Sequence, residues 1–265
     1  MVYMEADLSG KYNFKEFDPL VDVRDCSTII VAGSRRSSKS FCIRDLLYKL
    51  KQRVYDLFVF SGTYDFEDHP WGKMTPADHV NYAAPMFPDD KLNDVLSHQA
   101  ARMALTKDEH LPCPPSVVVL ENLDFLRNGM SNNQAIKELC YNGRHKRCFT
   151  VVETQNITAV NPDMADYVVL TACFDPAVRK YIFEKYASRV FRTLQEFEAA
   201  FDQITAKDHG VMVIDCKCML LRPDEVVFCY KAEEHGDFHV GAESVWGIAG
   251  SGLDDDKFLE WIRKH

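Results

Sequence analysis

The chain has 265 residues, 46% of them hydrophobic and 27% charged, with a formal net charge of −9. That length buries a substantial core without disulfide or metal staples, as one large domain or two small ones. The acidic balance argues against a protein that coats nucleic acid over its whole surface, and leaves room only for a contact confined to one basic patch or an assembled pore. The first 24 residues are polar and aromatic and are expected to wrap the outside as an extension, residues 1–24, of a domain over 25–250. The start, MVYMEADLSG, does not read as a signal peptide, and no run approaches the length of a membrane span.

The first predicted strand is Thr28–Ala32, and it leads into the most informative segment, GSRRSSKSF. Gly33 follows the apolar run, and Lys39 and Ser40 stand six and seven residues later at the start of a helical pattern. This is the layout of a phosphate-binding loop, G-x-x-x-x-G-K-S/T, with Ser38 where the second glycine belongs. The mechanism is explicit: a strand delivers the loop, backbone N–H groups surround phosphates, and the helix points its positive end at them. Gly33, Ser34, Arg35, Arg36, Ser37, Ser38, Lys39, Ser40 and Phe41 are the candidate nucleotide-binding residues. Lys39 would neutralise the β/γ-phosphates of ATP, and the Ser40 hydroxyl would hold Mg²⁺. A Ser-rich turn with surface cations is the bland alternative.

Helical spacing then predicts Phe41–Lys51, Leu92–Leu105, Asn132–Asn142, Ala177–Ala187 and Leu194–Ile204. Between these helices fall apolar, β-branched runs at Val54–Phe60, Ser116–Leu120, Phe149–Val152, Tyr167–Thr171, Val211–Asp215 and Val226–Tyr230. Most are continuous rather than alternating, as in strands covered on both faces. The alternation predicts an α/β fold of P-loop NTPase type, a mostly parallel central sheet with helices on both faces. A tail over 251–265 turns acidic and then carries Phe258, Trp261 and Ile262 at amphipathic spacing.

In open α/β sheets, ligands sit beyond the carboxyl ends of strands. The third strand ends in Glu121-Asn122, where a nucleoside triphosphatase needs an acidic group at the metal and a second carboxylate to polarise water. Glu121 serves the first need. Asn122 orients water without accepting its proton, and Asp124 is a nearby substitute. The fourth strand is followed by Gln155, a neutral amide suited to sensing the γ-phosphate or positioning water. Arg144-His145-Lys146-Arg147 is a basic run in an acidic chain, either a solvated turn or an edge reaching a neighbour's nucleotide or a DNA backbone. Arg144 is the candidate arginine finger, and Arg35, Arg36, Arg127 and Lys146 are candidates for phosphate contact. The nine cysteines form no two-residue-spaced pair. Cys42, Cys140, Cys148, Cys173 and Cys229 lie in apolar patterns and read as reduced core residues of an intracellular protein.

AGSRRSSKS, FSGTYDF, VVVLEN, GRHKRCFTVVETQN, GVMVIDC and YKAEEHGDFHVGAESVW fall in one order along nearly the whole chain. In this the chain resembles the DNA-packaging ATPases of large nucleocytoplasmic DNA viruses, in the FtsK/HerA branch of P-loop motors. The resemblance implies an ATP-driven translocase of double-stranded DNA working as a homo-oligomeric ring of about five or six subunits. It implies capsid or membrane-vertex proteins as partners, and the host cytoplasm (the virus factory) and virion as its location. It puts the family's glutamine on Gln155, its basic segment on Gly143-Arg144-His145, and its lysine and hydroxyl on Lys39 and Ser40. Ser38 and Glu121-Asn122 depart from the family pattern, which leaves a nucleotide-binding pseudo-ATPase of structural or regulatory role as the alternative. A small-molecule kinase would need a lid-like, Arg-rich segment after the sheet, which the sequence does not display.

Overall fold

The computed structural model describes residues 12–63, 70–126, 129–173, 175–206, 209–247 and 255–264. Nine strands form one sheet in the order β1-β9-β8-β7-β2-β6-β5-β3-β4. They are β1 (Lys15–Glu16), β2 (Thr28–Ala32), β3 (Asp56–Ser61), β4 (Val80–Tyr82), β5 (Ser116–Glu121), β6 (Cys148–Thr154), β7 (Tyr167–Leu170), β8 (Gly210–Asp215) and β9 (Val227–Lys231). The helices are α1 (Pro19–Asp22), α2 (Lys39–Leu50), α3 (Asp89–Asp108), α4 (Gln134–Asn142), α5 (Pro176–Ile182), α6 (Leu194–Thr205), α7 (Pro223–Val226) and α8 (Asp255–Lys264). The seven predicted strands are present, each within two residues of its expected ends. The sheet is mostly parallel as expected, with β8 antiparallel to both β7 and β9.

Period-two alternation divides the strand side chains between two cores. Ile30, Ala32, Val118 and Leu120 pack on one face with Leu92, Leu96, Leu139, Phe197 and Phe201 from α3, α4 and α6. Ile29, Val31, Val117, Val119 and Val151 pack on the other with Cys42, Ile43, Leu46 and Leu47 of α2. Both faces are covered, so the strands carry continuous apolar runs. Strand β2 is flanked by β6 and β7. The chain leaves β2 toward β3 on one side and returns through β6 to β7 on the other. Connections therefore diverge at the C-terminal end of β2, the kind of crevice that holds ligands.

Several elements differ from the sequence expectation. Lys15–Glu16 add a strand beside β9, and Phe17 is buried behind it, so the leading residues do more than wrap the outside. Strand β4, three residues long, is too short for its pattern to register. The helix expected over Ala177–Ala187 is α-helical to Ile182 and then becomes a π-turn over Phe183–Ala187, closed by Ser188 N donating to Phe183 O at 2.7 Å. The tail helix α8 buries Phe258, whose ring meets Tyr55 edge-on with centroids 4.8 Å apart. All nine cysteines are free; Cys42, Cys148 and Cys173 are buried, while Cys140 and Cys229 are only partly so. Arg127 and the Tyr64–Phe66 part of FSGTYDF lie outside the described residues.

The conspicuous YKAEEHGDF segment closes over α2. Asp45 of α2 is fully buried and accepts a short hydrogen bond from the Tyr230 hydroxyl. His235 Nε2 lies 2.5 Å from its other oxygen, and Lys49 pairs with Glu233 at 2.9 Å. The His235 ring stacks on Tyr48 at 3.6 Å. Asp45→Ala would leave a buried phenol without its acceptor. We expect a loss of about 3 kcal/mol in chemical denaturation, from the stranded partner rather than from lost packing alone. A loss under about 0.5 kcal/mol would show that water satisfies the site instead.

Candidate functional site

Strand β2 is buried at every position and delivers Gly33 against β7. A Cβ on Gly33 would lie 1.9 Å from Thr171 Oγ1 and 2.8 Å from Ser37 Oγ, so only glycine fits. Those two hydroxyls share a 2.6 Å hydrogen bond, and Ser37 Oγ also lies 2.6 Å from Ser34 O. The loop is thereby pinned to the sheet. It then turns through two left-handed residues, Arg36 at φ 63° and Ser38 at φ 66°. Ser38 precedes α2 without a side-chain cap, and its carbonyl accepts from Cys42 N at 2.9 Å. The missing glycine is therefore missing at a position that does adopt the left-handed region.

Lys39 and Ser40 open α2. Lys39 is buried, and its ammonium donates to Ser34 O at 3.0 Å and lies 3.8 Å from Glu153 Oε1. Burial pushes the Lys39 pKa down, against the pull of Glu153 and Asp124. Ser40 Oγ lies 3.4 Å from each oxygen of Glu153. Arg35 and Arg36 are exposed on the loop. Phe41 stacks on His209 with centroids 4.4 Å apart, and the two rings help wall a cavity of about 270 Å³ beside Ser34, Arg36 and Ser37.

Glu153 was not among the expected site residues. The expected strand Phe149–Val152 stops two residues short of β6, which runs on to Thr154. The signal was present in the alternation. Val151 faces α2, so Glu153, two residues on, faces it too. The same count carries Glu121 to that face from Val119, and Val119 pairs with Val151 across the β5–β6 ladder. Two carboxylates are thus neighbours in front of α2. Burial and the adjacent Glu121 raise the Glu153 pKa to about 7, with Lys39 and Ser40 opposing.

Glu121 is buried and held on its far side, its Oε2 accepting from Ser61 Oγ at 2.6 Å and Trp71 Nε1 at 2.9 Å. Asn122 is left-handed at φ 53°. Its Nδ2 donates to Thr63 Oγ1 at 2.7 Å, and its Oδ1 accepts from Gln155 Nε2 at 3.4 Å. The structure therefore brings Asn122 and Gln155 together as expected positions in one cluster. Asp124 does not stand free as a substitute base. Its two oxygens accept from Thr154 Oγ1 at 2.6 Å and the backbone N of Gln155 at 2.9 Å, which fixes the main chain there. A larger cavity, about 1130 Å³, opens beside Asn122 between Gly62, Met86, Phe125 and Asn133.

The basic run does not join this cluster. It forms a 3₁₀ turn, Gly143–Lys146, that enters β6 at the end opposite its carboxyl terminus. Arg144 and His145 are exposed, whereas Lys146 pairs with Glu138 at 3.3 Å and Arg147 donates to Cys113 O at 2.9 Å. Within one chain Arg144 stands at the far end of the sheet from Lys39.

No protein-family model matches the chain. It is 25% identical over 253 residues to an uncharacterized protein of Acanthamoeba polyphaga mimivirus, covering 88% of this chain and 81% of that one. It is 26% identical over 209 residues to an uncharacterized protein of Invertebrate iridescent virus 3, covering 78% and 76%. Among solved structures, the DNA-packaging ATPase B204 of Sulfolobus turreted icosahedral virus superposes with TM-score 0.53 at 17% identity, covering 80% of this chain and all of that one. The genome packaging NTPase B204 of Sulfolobus turreted icosahedral virus 2, in complex with ATP-gammaS, gives TM-score 0.52 at 15% identity over 79% and 98%. The chain thus has the fold of a viral genome-packaging NTPase, and the resemblance carried by its motifs extends to its three-dimensional structure. Ser38→Gly should relieve the left-handed strain at the loop. The net gain is about 0.5–1 kcal/mol, because glycine also loses more entropy on folding; equilibrium unfolding measures it.

Proposed function

We propose that this chain is a viral genome-packaging ATPase, an ATP-driven translocase of double-stranded DNA that works as a ring. The observation that carries the reading is the convergence of Lys39, Ser40, Glu153 and Glu121 at the start of α2, behind a loop that only glycine can begin. The hydroxyl and carboxylate oxygens suit a hard divalent cation, and a pinned loop ending at a helix N-terminus suits a triphosphate. Ser40, Glu153 and Glu121 would hold Mg²⁺, which when bound supplies charge neutralisation at the phosphates.

The protein's own groups do the rest. Lys39 exchanges the Ser34 carbonyl for phosphate oxygens, a charge-assisted contact stronger than the one it leaves. Loop N–H groups and Arg35 and Arg36 bind the remaining oxygens. The Phe41–His209 pair offers the base an apolar wall. Asn122 and Gln155, their amides already in contact, orient the attacking water, and Asp124 holds Gln155 in place. Arg144 acts only across a subunit boundary, since its own Lys39 is at the other end of the sheet. Viral relatives and a packaging-ATPase fold support DNA as the cargo, capsid or membrane-vertex proteins as docking partners, and the virus factory and virion as the setting.

The amide at Asn122 favours one second reading, a pseudo-ATPase that binds nucleotide without turnover. ATP binding and hydrolysis measured in parallel, with and without duplex DNA, separate the two. We expect DNA-stimulated turnover in the parent chain. Lys39→Ala should weaken ATP binding by about 100-fold or more through loss of charge-assisted hydrogen bonds. Glu153→Gln, which takes a carboxylate oxygen from the groups that would hold the cation, should slow turnover about 100-fold. Tight binding with no turnover in the DNA-bound parent would establish the pseudo-ATPase, and full turnover in Glu153→Gln would remove Glu153 from the mechanism.

A further inference from the structure

The end of the sheet away from Lys39 carries features the nucleotide chemistry does not use. Strand β8 runs antiparallel to β7, with Asp215 paired to Tyr167. The loop after β8 therefore emerges where the parallel strands begin. Its three consecutive side chains Met219, Leu220 and Leu221 are 90%, 51% and 67% exposed. Leu20 and Val21 of α1 are exposed at the same end. They are held there by the Tyr167 hydroxyl donating to Asp22 O at 2.6 Å and by Arg24 forked onto Asp215 at 2.6 and 2.9 Å.

A cavity of about 190 Å³ adjoins the root of this loop, walled by Lys185, Ser188, Arg189 and Lys217, with Asp163 the one acidic member. Arg189 anchors the loop by donating to Asp215 O at 2.6 Å and Cys218 O at 2.5 Å. Lys217 Nζ donates to the Asp163 backbone carbonyl at 3.3 Å. Tyr186 also lines the cavity, and its buried hydroxyl has no hydrogen-bond partner. A buried phenol left unpaired is costly, and an anion in the cavity would accept its proton in a hydrogen bond.

Three cations and an unpaired donor beside contiguous exposed apolar side chains match one environment better than others. At an anionic bilayer surface, headgroup phosphates meet the cations while apolar side chains enter the acyl boundary. A nucleic-acid backbone would satisfy the cations and leave Met219, Leu220 and Leu221 in water. The net charge of −9 opposes approach to such a surface everywhere else, so docking must be local. No helix among the described residues is long and apolar enough to cross a membrane.

We propose that this end of the sheet docks on an anionic membrane, with Met219–Leu221 inserted and a lipid phosphate seated among Lys185, Arg189 and Lys217. The proposal goes beyond the packaging reading and does not depend on it. The test is flotation of the full chain with vesicles of phosphatidylcholine alone and of phosphatidylcholine mixed with phosphatidylserine. The mixed vesicles should carry the protein and the neutral ones should not. Leu220→Asp, and separately Lys185→Glu with Lys217→Glu, should each lower partitioning about 10-fold. ATP turnover and melting temperature should stay at the parent's values, since these side chains lie on the surface. Flotation of either variant at the parent's level overturns the proposal, as does failure of the folded parent to float. Loss of DNA or inorganic phosphate binding in the charge-reversed variant, without vesicle binding by the parent, would make the cavity a site for those ligands instead.

Discussion

The contact on which the site depends is the one between Gly33 and Thr171. It leaves no room for a side chain, and it welds the start of the phosphate loop to the neighbouring strand. Everything after it is set by that weld: the Ser37 hydroxyl closes the loop, the backbone goes left-handed twice, and α2 starts with Lys39 already buried. The second glycine of the motif has no comparable steric partner. Serine at 38 therefore carries a conformational cost of about 1–2 kcal/mol without blocking the loop's path. The two glycine positions of one motif differ in kind, the first required by packing and the second only by backbone preference.

Much of this was legible in the sequence because the physics is local. Continuous β-branched runs signal strands covered on both sides, and the seven found this way form the working part of the sheet. The loop could be read because a strand, a glycine and a lysine at fixed spacing describe a single mechanical device. Glu153 escapes a reading that ends the strand at Val152; a count of two positions on from Val151 along the same face brings it in front of α2. The pairing of Glu121 with Glu153 also needs the β5–β6 register, which no single segment contains. Asp124 reads as a spare carboxylate until the Thr154 and Gln155 donors that occupy it are in place. The basic run stands apart from the rest of the site for a topological reason. It sits close to Gln155 in sequence, but a strand of seven residues separates them, so they lie at opposite ends of the sheet.

The sheet is thus polarised. One end gathers the buried lysine, the paired carboxylates and the amide couple. The other gathers Arg144 and His145 along one stretch and the apolar loop with its cations along another. The antiparallel insertion of β8 makes the second arrangement available, because it returns a connection to the end where a purely parallel sheet would place only strand entries. Chemistry and attachment can then occupy separate surfaces of one small unit, each free to vary without disturbing the other.

The buried Asp45 has a mechanical meaning as well. It sits one and a half turns into the helix that begins with Lys39, and both its oxygens are taken by groups from β9 and the segment beyond it. A helix so tethered cannot pivot alone. Its position is therefore coupled to β9, one strand in from the edge of the sheet, and to the segment that follows it, through Tyr230 and His235. The helix is thus bolted down at both the loop that opens it and a strand three places across the sheet from β2, which makes the two stiff with respect to each other.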